Sequence, residues 1–284
     1  MMRCSTWLAV FFALLVHGGE AASPVAGLDH IPVAVKDLQA AAAQYAALGF
    51  ILKPGRFHAD GITNKHVKFP DGTEIELITA PQENDAITSE YRAMLSAGDG
   101  PAFFALYAPD MDAVAAALSR SETAFSRDGG FIGFDKTSPL HALFFAGRNK
   151  SPTDRPEIFQ HPNTAQSLIA IWLAGNDFKS YLQVFATLGV PVSRERACTP
   201  QCATAAVAKV PGGKILLLPG SRQRIPGRIV IGATIRVRDL NAIRGEIRRL
   251  GLKSASEIHD ANGDSFIIPP ALTHGLWLEM RQPR

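Results

Sequence analysis

The sequence predicts an α+β fold assembled from repeated strand–helix–three-strand units. An Asp followed by Leu or Phe stands twelve residues before a Gly at three places: Asp37 to Gly49, Asp177 to Gly189 and Asp239 to Gly251. A β-like run precedes each Asp: IPVAV, LIAIWLA and IGATIRV. Each Gly opens further extended stretches separated by tight-turn residues, and such self-similarity marks a repeated supersecondary unit.

The chain begins with a short basic start, Met1-Met2-Arg3, an apolar run from Trp7 to Val16, and the small residues Gly18, Gly19, Ala21 and Ala22. This pattern predicts a secretory signal over 1–21, cleaved after Ala21. The run is too short to span a bilayer, which takes about 20 apolar residues. The mature chain is therefore expected to be periplasmic or secreted, without stable membrane insertion.

Unit one follows. Asp37, like Asp177 and Asp239 later, is a candidate N-cap whose carboxylate accepts from free helix amides. The Gly at each helix end permits the left-handed backbone that often closes a helix. Phe178, Tyr181, Phe185 and Leu188 recur on one helical face, as do Leu240, Ile243, Ile247 and Leu250. In unit one, NKHVKF, Asp71-Gly72 and TEIELIT form a strand–turn–strand signal. Residues 82–97 read as an insertion helix. Unit two, 101–147, is degenerate: AFFALYA is a strand, 110–119 a helix and HALFFAG a closing strand. Residues 148–165 are polar and proline-rich and read as a linker. Units three and four close their hairpins at Pro211-Gly212-Gly213 and Asn262-Gly263. Three units are clear and one is degenerate. The expected organisation is an N-terminal domain over 25–147, the linker, and a C-terminal domain over 166–284.

Hydrophobic residues make up 46% and charged residues 19%, which supports a packed core and argues against global disorder. The net charge of +3 is small and spread evenly, so nucleic acid is not an expected partner. Arg244, Arg248 and Arg249 read as one solvated helix face. No GxSxG elbow, phosphate loop or HExxH motif is present.

Cys198 and Cys202 remain after the signal, and they bracket Thr-Pro-Gln. In an oxidising compartment they are expected to pair as a disulfide. A redox dithiol usually has two intervening residues rather than three, and a zinc site needs ligands that no second cysteine pair supplies.

The segments GLDHIPVAVKDLQAAAAQYAALGF, GITNKHVKFPDGTEIELI and FQHPNTA resemble the glyoxalase-like members of the vicinal oxygen chelate superfamily. The resemblance implies units pairing into curled mixed sheets around a cup, in a two-domain architecture. It implies a small oxygenated molecule as substrate or ligand. It also implies a divalent metal (Zn, Ni, Mn or Fe) held from the first and last strands of a unit. Homodimers are frequent in that superfamily, and nothing in the sequence demands one.

Alternation sorts the strand faces. Ile31, Val33 and Val35 share one apolar face, and His30, Pro32 and Ala34 the other. Ile75 and Leu77 oppose Glu74 and Glu76. Leu276, Leu278 and Met280 oppose Trp277 and Glu279. Ala233, Ile235 and Val237 oppose Thr234 and Arg236. His30, Glu76 and Glu279 fall where the resemblance places metal ligands, with Glu76 and Glu279 as catalytic candidates. His58, Asn64, Arg236 and Trp277 are candidates for substrate binding. The bland alternatives are a buried His30 bonded to its neighbours, exposed edge carboxylates, an Arg236 salt bridge and core-packed tryptophans. The metal set depends on pairing. If units one and two pair, only His30 and Glu76 meet. If units one and four pair, Glu279 joins them. Phe103 and Phe145 stand near the ligand positions of unit two, Ala170 and Leu217 at those of unit three, and Gly232 at the first-strand position of unit four. His66 is expected to be solvated, and His161 and Asn163 to shape a turn. Two functions follow: a metal-dependent lyase, isomerase or dioxygenase, or a metal-free protein that sequesters a small molecule.

Overall fold

The computed structural model describes residues 23–56, 58–251, 256–260 and 262–284. The expected signal and its cleavage point lie outside the described residues.

Unit one comprises β1 (Gly27–Leu28), β2 (His30–Ala34), α1 (Leu38–Ala47), β3 (Lys53–Pro54), β4 (Thr63–Lys68) and β5 (Glu74–Thr79). Asp37 caps α1 by accepting from Gln39 N and Ala40 N, both at 2.9 Å. Gly49 closes the helix at φ +83°, and Gly189 repeats this at +67°. A side chain there would strain the backbone. The insertion helix is α2 (Ala86–Ser96), started by a capping box between Asp85 and Thr88. Unit two comprises β6 (Gly100–Pro101), β7 (Phe104–Tyr107), α3 (Met111–Arg120), β8 (Ser126–Asp128), β9 (Phe131–Gly133) and β10 (Leu143–Ala146). Unit three has β11 (Ala165–Gly175), α4 (Lys179–Thr187), β12 (Val192–Cys198), β13 (Cys202–Val210) and β14 (Gly213–Pro219). Unit four has β15 (Val230–Val237), α5 (Leu240–Arg249), β16 (Ser256–Asp260), β17 (Gly263–Ile268) and β18 (Trp277–Gln282). One cap differs from expectation. Helix α4 starts after Phe178, although Asp177 still accepts from Lys179 N at 2.8 Å.

In every unit the first and last strands lie side by side and parallel: β2 with β5, β7 with β10, β11 with β14, and β15 with β18. Units then join through their first strands. β1 and β2 pair antiparallel with β7 and β6, and β11 pairs antiparallel with β15. Units one and two therefore form one half, and units three and four form the other as a continuous eight-stranded sheet.

Alternation assigns the faces as expected. Ile31, Val33, Ile75 and Leu77 of one half share a single buried cluster with Ile171, Leu173, Ala233, Ile235, Leu278 and Met280 of the other. Inward residues of α1, α3, α4 and α5 belong to the same cluster. The helix layer is thus common to both sheets. Each large aliphatic chain buried there contributes about 1.5–3 kcal/mol. The opposite faces form two separate smaller clusters, one per half. These faces line the two cups. Among the described residues no helix is long and apolar enough to cross a membrane.

The segment between the halves is stitched to unit one. His161 Nδ1 accepts from Ile51 N at 3.0 Å, and Nε2 donates to Lys68 O at 2.9 Å. Its ring stands edge-on to Phe50 and Phe69, and burial holds its pKa below the usual value. Asn163 donates to Leu48 O and accepts from Ala165 N. Replacing His161 with Ala leaves a buried amide and carbonyl without partners, and each such loss costs roughly 1–3 kcal/mol. The expected outcome is about 3 kcal/mol of lost stability in urea unfolding. A loss under about 1 kcal/mol would show that water restores both bonds.

Candidate functional site

The N-terminal cup encloses a cavity of about 560 Å³. Two alternating strand patterns place acids and bases in it: Asn64 and His66 on β4, and Glu74 and Glu76 on β5. Register sets His66 opposite Glu76 and His30 beside Glu74. Helix α2 lies over one side, where Tyr91 stands edge-on to Phe103 at 5.7 Å between ring centres.

His30 is 9% exposed. Its Nδ1 contacts Asp29 Oδ2 at 2.6 Å. Its Nε2 faces Glu76 Oε2 at 3.6 Å, too far for a hydrogen bond. Burial works against a charged ring. The hydrogen bond and charge of Asp29 outweigh it, with help from Glu76 and Glu74, and raise the pKa to about 9. His30 is therefore an imidazolium at neutral pH. Asn64 Nδ2 donates to Glu76 Oε1 at 2.6 Å and lies 3.3 Å from His58 Nε2. Arg148 Nη1 donates to Asp29 Oδ1 at 3.1 Å, and its guanidinium covers the Tyr107 ring at 4.4 Å. Asn149 donates to Glu74 Oε1 at 3.1 Å. Burial pushes the Glu74 carboxyl up, but His66 beside it prevails and holds its pKa below the usual range. Asn64 Oδ1 and His66 Nδ1 are buried without hydrogen-bond partners among the described residues; His66 Nδ1 is 3.2 Å from Glu74 Oε1 but out of line.

The structure brings His30, Glu76, His58 and Asn64 together. It does not bring Glu279 to them, because units one and two pair with each other. Glu279 lies in the C-terminal sheet, 3% exposed and fully engaged. Thr234 Oγ1 donates to its Oε2 at 2.7 Å, and Arg281 Nε donates to its Oε1 at 3.0 Å. Trp172 Nε1 donates to Thr234 Oγ1 at 3.0 Å. A carboxylate with both oxygens occupied is poorly placed as a base or ligand. Arg236 lines the C-terminal cavity, so it cannot serve a substrate in the other cup. Trp277 packs partly buried against the apolar cluster of the C-terminal cup and is not among the cavity's lining residues. Cys198 and Cys202 are disulfide-bonded at the tip of the β12–β13 hairpin.

Of the three residues that the resemblance assigns to a divalent metal, His30 and Glu76 face each other at 3.6 Å and Glu279 lies in the other half. Among the described residues no three His, Cys, Asp or Glu side chains converge as a metal site. Phe144 stands edge-on to His30 at 5.2 Å, and Phe131, tilted against Phe144, lines the cavity. Phe145, rather than facing this cup, belongs to the helix-layer core. The donor set does not fit a resident metal.

Sequence reasoning passed over Asp29, Arg148 and Asn149, and misjudged His66, which is 8% exposed. The paired patterns Asn64-x-His66 and Glu74-x-Glu76 carried the signal for His66. Asp29 sits between β1 and β2, where strand alternation lapses. Arg148 and Asn149 arrive from beyond β10, which no local pattern predicts.

The fold is similar to solved structures across nearly its whole length. A triple mutant of 4-hydroxymandelate synthase from Streptomyces coelicolor has a TM-score of 0.61 at 14% identity, covering 92% of this chain and 93% of its own. For a catechol 2,3-dioxygenase the TM-score is 0.61 at 13% identity, with 91% and 94% covered. For a hypothetical protein from Staphylococcus aureus it is 0.59 at 12%, with 90% and 98% covered. At these identities the likeness is one of fold. No curated protein matches the sequence. The glyoxalase-like domain family matches over residues 28–189. That span takes in units one and two from Leu28 onward and reaches just past the end of α4 in unit three. The chain belongs to the glyoxalase-like domain family of the vicinal oxygen chelate superfamily.

Proposed function

We propose that the N-terminal cup binds a small carbonyl compound and moves a proton on it, as a lyase or isomerase does. The observation that carries this is the His30–Glu76 pair. An imidazole nitrogen and a carboxylate oxygen face each other at 3.6 Å in the cup without bonding, while Asp29 fixes the far side of the ring. A substrate carbonyl placed there accepts the Nε2 proton of His30 as a hydrogen bond. Glu76 Oε2 takes a proton from the adjacent carbon, and the released electron pair moves toward the oxygen that His30 steadies. Asn64 orients Glu76 through its other oxygen. On an α-hydroxy carbonyl compound, returning the proton to the former carbonyl carbon, while His30 gives its Nε2 proton to the oxyanion and takes the hydroxyl proton in exchange, completes an isomerisation. Export belongs to this reading: the basic start and short apolar run support a cleaved signal, which N-terminal sequencing of the mature chain checks.

The test uses chelator-dialysed protein and hydroxyacetone in D₂O, followed by NMR. Wild type should exchange the protons next to the carbonyl. Glu76→Gln should slow exchange by about 10²–10⁴-fold, the usual contribution of a positioned base. Equal exchange in both proteins would remove Glu76 from the chemistry. A second reading, sequestration of a ligand, has support in Phe131, which lines the cavity, and in Phe144 packed against it and against His30. Absence of exchange, together with a thermal shift on adding catechol that His30→Ala abolishes, would favour it.

A further inference from the structure

The C-terminal half repeats the sheet of the N-terminal half with a different charge pattern. Its cup holds a cavity of about 360 Å³, within the range of small-molecule sites. Arg196 from β12, Lys214 from β14, Arg236 from β15 and Arg281 from β18 line it, with Asp260 and Glu279. Arg281 engages both acids. It donates to Asp260 Oδ1 and Oδ2 at 2.7 and 3.1 Å, and to Glu279 Oε1 at 3.0 and 2.6 Å. The wall's two carboxylates are therefore already partnered. Arg196, Lys214 and Arg236 make no ion pair or side-chain hydrogen bond among the described residues. Three cations from three strands line one hollow, and its two carboxylates, which Arg281 already bridges, offset their repulsion only in part.

We propose that the C-terminal cup is a second binding site, and that it takes a small organic anion bearing more than one anionic group, such as a polycarboxylate or a phosphate ester. The apolar floor at Ala170 and Leu216 would receive the carbon skeleton. The guanidinium groups of Arg196 and Arg236 can each grip an oxyanion with two parallel N–H bonds, and Lys214 adds a point charge. The disulfide holds the rim. Arg196 stands two residues before Cys198, and Arg222 donates to Thr199 O and Gln201 O within the loop that the disulfide closes. This site is independent of the proton-transfer reading of the other cup, since none of its residues lies there.

The test is calorimetric titration of the full mature chain at low salt with citrate, with inorganic phosphate, and with neutral glycerol. Saturable binding of citrate or phosphate, weakened at least tenfold by Arg236→Gln and by Lys214→Gln and strongly reduced in 0.5 M NaCl, is the expected result. Citrate without phosphate would point to a polycarboxylate, and phosphate without citrate to a phosphate ester. Arg236→Lys, which keeps the charge but loses the bidentate fork, should bind between wild type and Arg236→Gln, and unchanged urea unfolding of the variants serves as the folding control. The proposal is overturned if neither anion binds saturably, if glycerol binds as well, or if the charge-removing variants bind like wild type.

Discussion

Replacing Arg281 with Met should lower stability by about 3–5 kcal/mol, the usual cost of removing one partner from a buried ion pair. Glu279 is 3% exposed, and Arg281 is its only cationic partner among the described residues. Without Arg281 the carboxylate stays buried with one bond from Thr234, and Asp260 loses its bidentate partner. The double variant Arg281→Met, Glu279→Met should recover most of the loss, because two well-packed apolar chains can stand in for a buried pair. Urea unfolding of the two variants measures this directly. If Arg281→Met costs less than about 1 kcal/mol, Glu279 is not held as a structural ion, and a role in ligand binding becomes the better account of it.

Raising the pH should destabilise the protein through His30. Its pKa is about 9 in the folded chain and 6.5 in the ordinary state. A group whose folded pKa is raised contributes its full stabilisation below the unfolded value. It loses that contribution as pH climbs through the folded value. The window therefore runs from about pH 6.5 to about pH 9. The loss across it is about 3 kcal/mol, since one pKa unit corresponds to about 1.4 kcal/mol. His30→Gln should flatten the profile in this window while lowering stability below pH 6.5, where Asp29 loses one of its two charged partners and keeps Arg148. A variant that keeps the wild-type slope would place the titrating group elsewhere.

Much of the fold was legible because its signals are local. The Asp-to-Gly spacing read out the helices, and alternation placed His30 and Glu76 on one face and Ile31 and Ile75 on the other. Unit pairing was not legible. It depends on β1 meeting β7 and β11 meeting β15, contacts between first strands that no short-range periodicity encodes. The position of Glu279 depended on that pairing, so the three-donor set disappeared once it was known. His66 was misjudged for a similar reason. Alternation gave its polar face but not what stands over that face, where the chain from Ala146 to Lys150 lines the same cavity.

Because the helix-side faces of both sheets share one interior, the two hollows lie on the sheet faces turned away from it. A substitution inside one hollow leaves the packing that supports the other untouched. Each can therefore differ in chemical character while resting on the same interior. That freedom accounts for a single chain carrying a histidine–carboxylate chamber on one flank and an arginine–lysine chamber on the other.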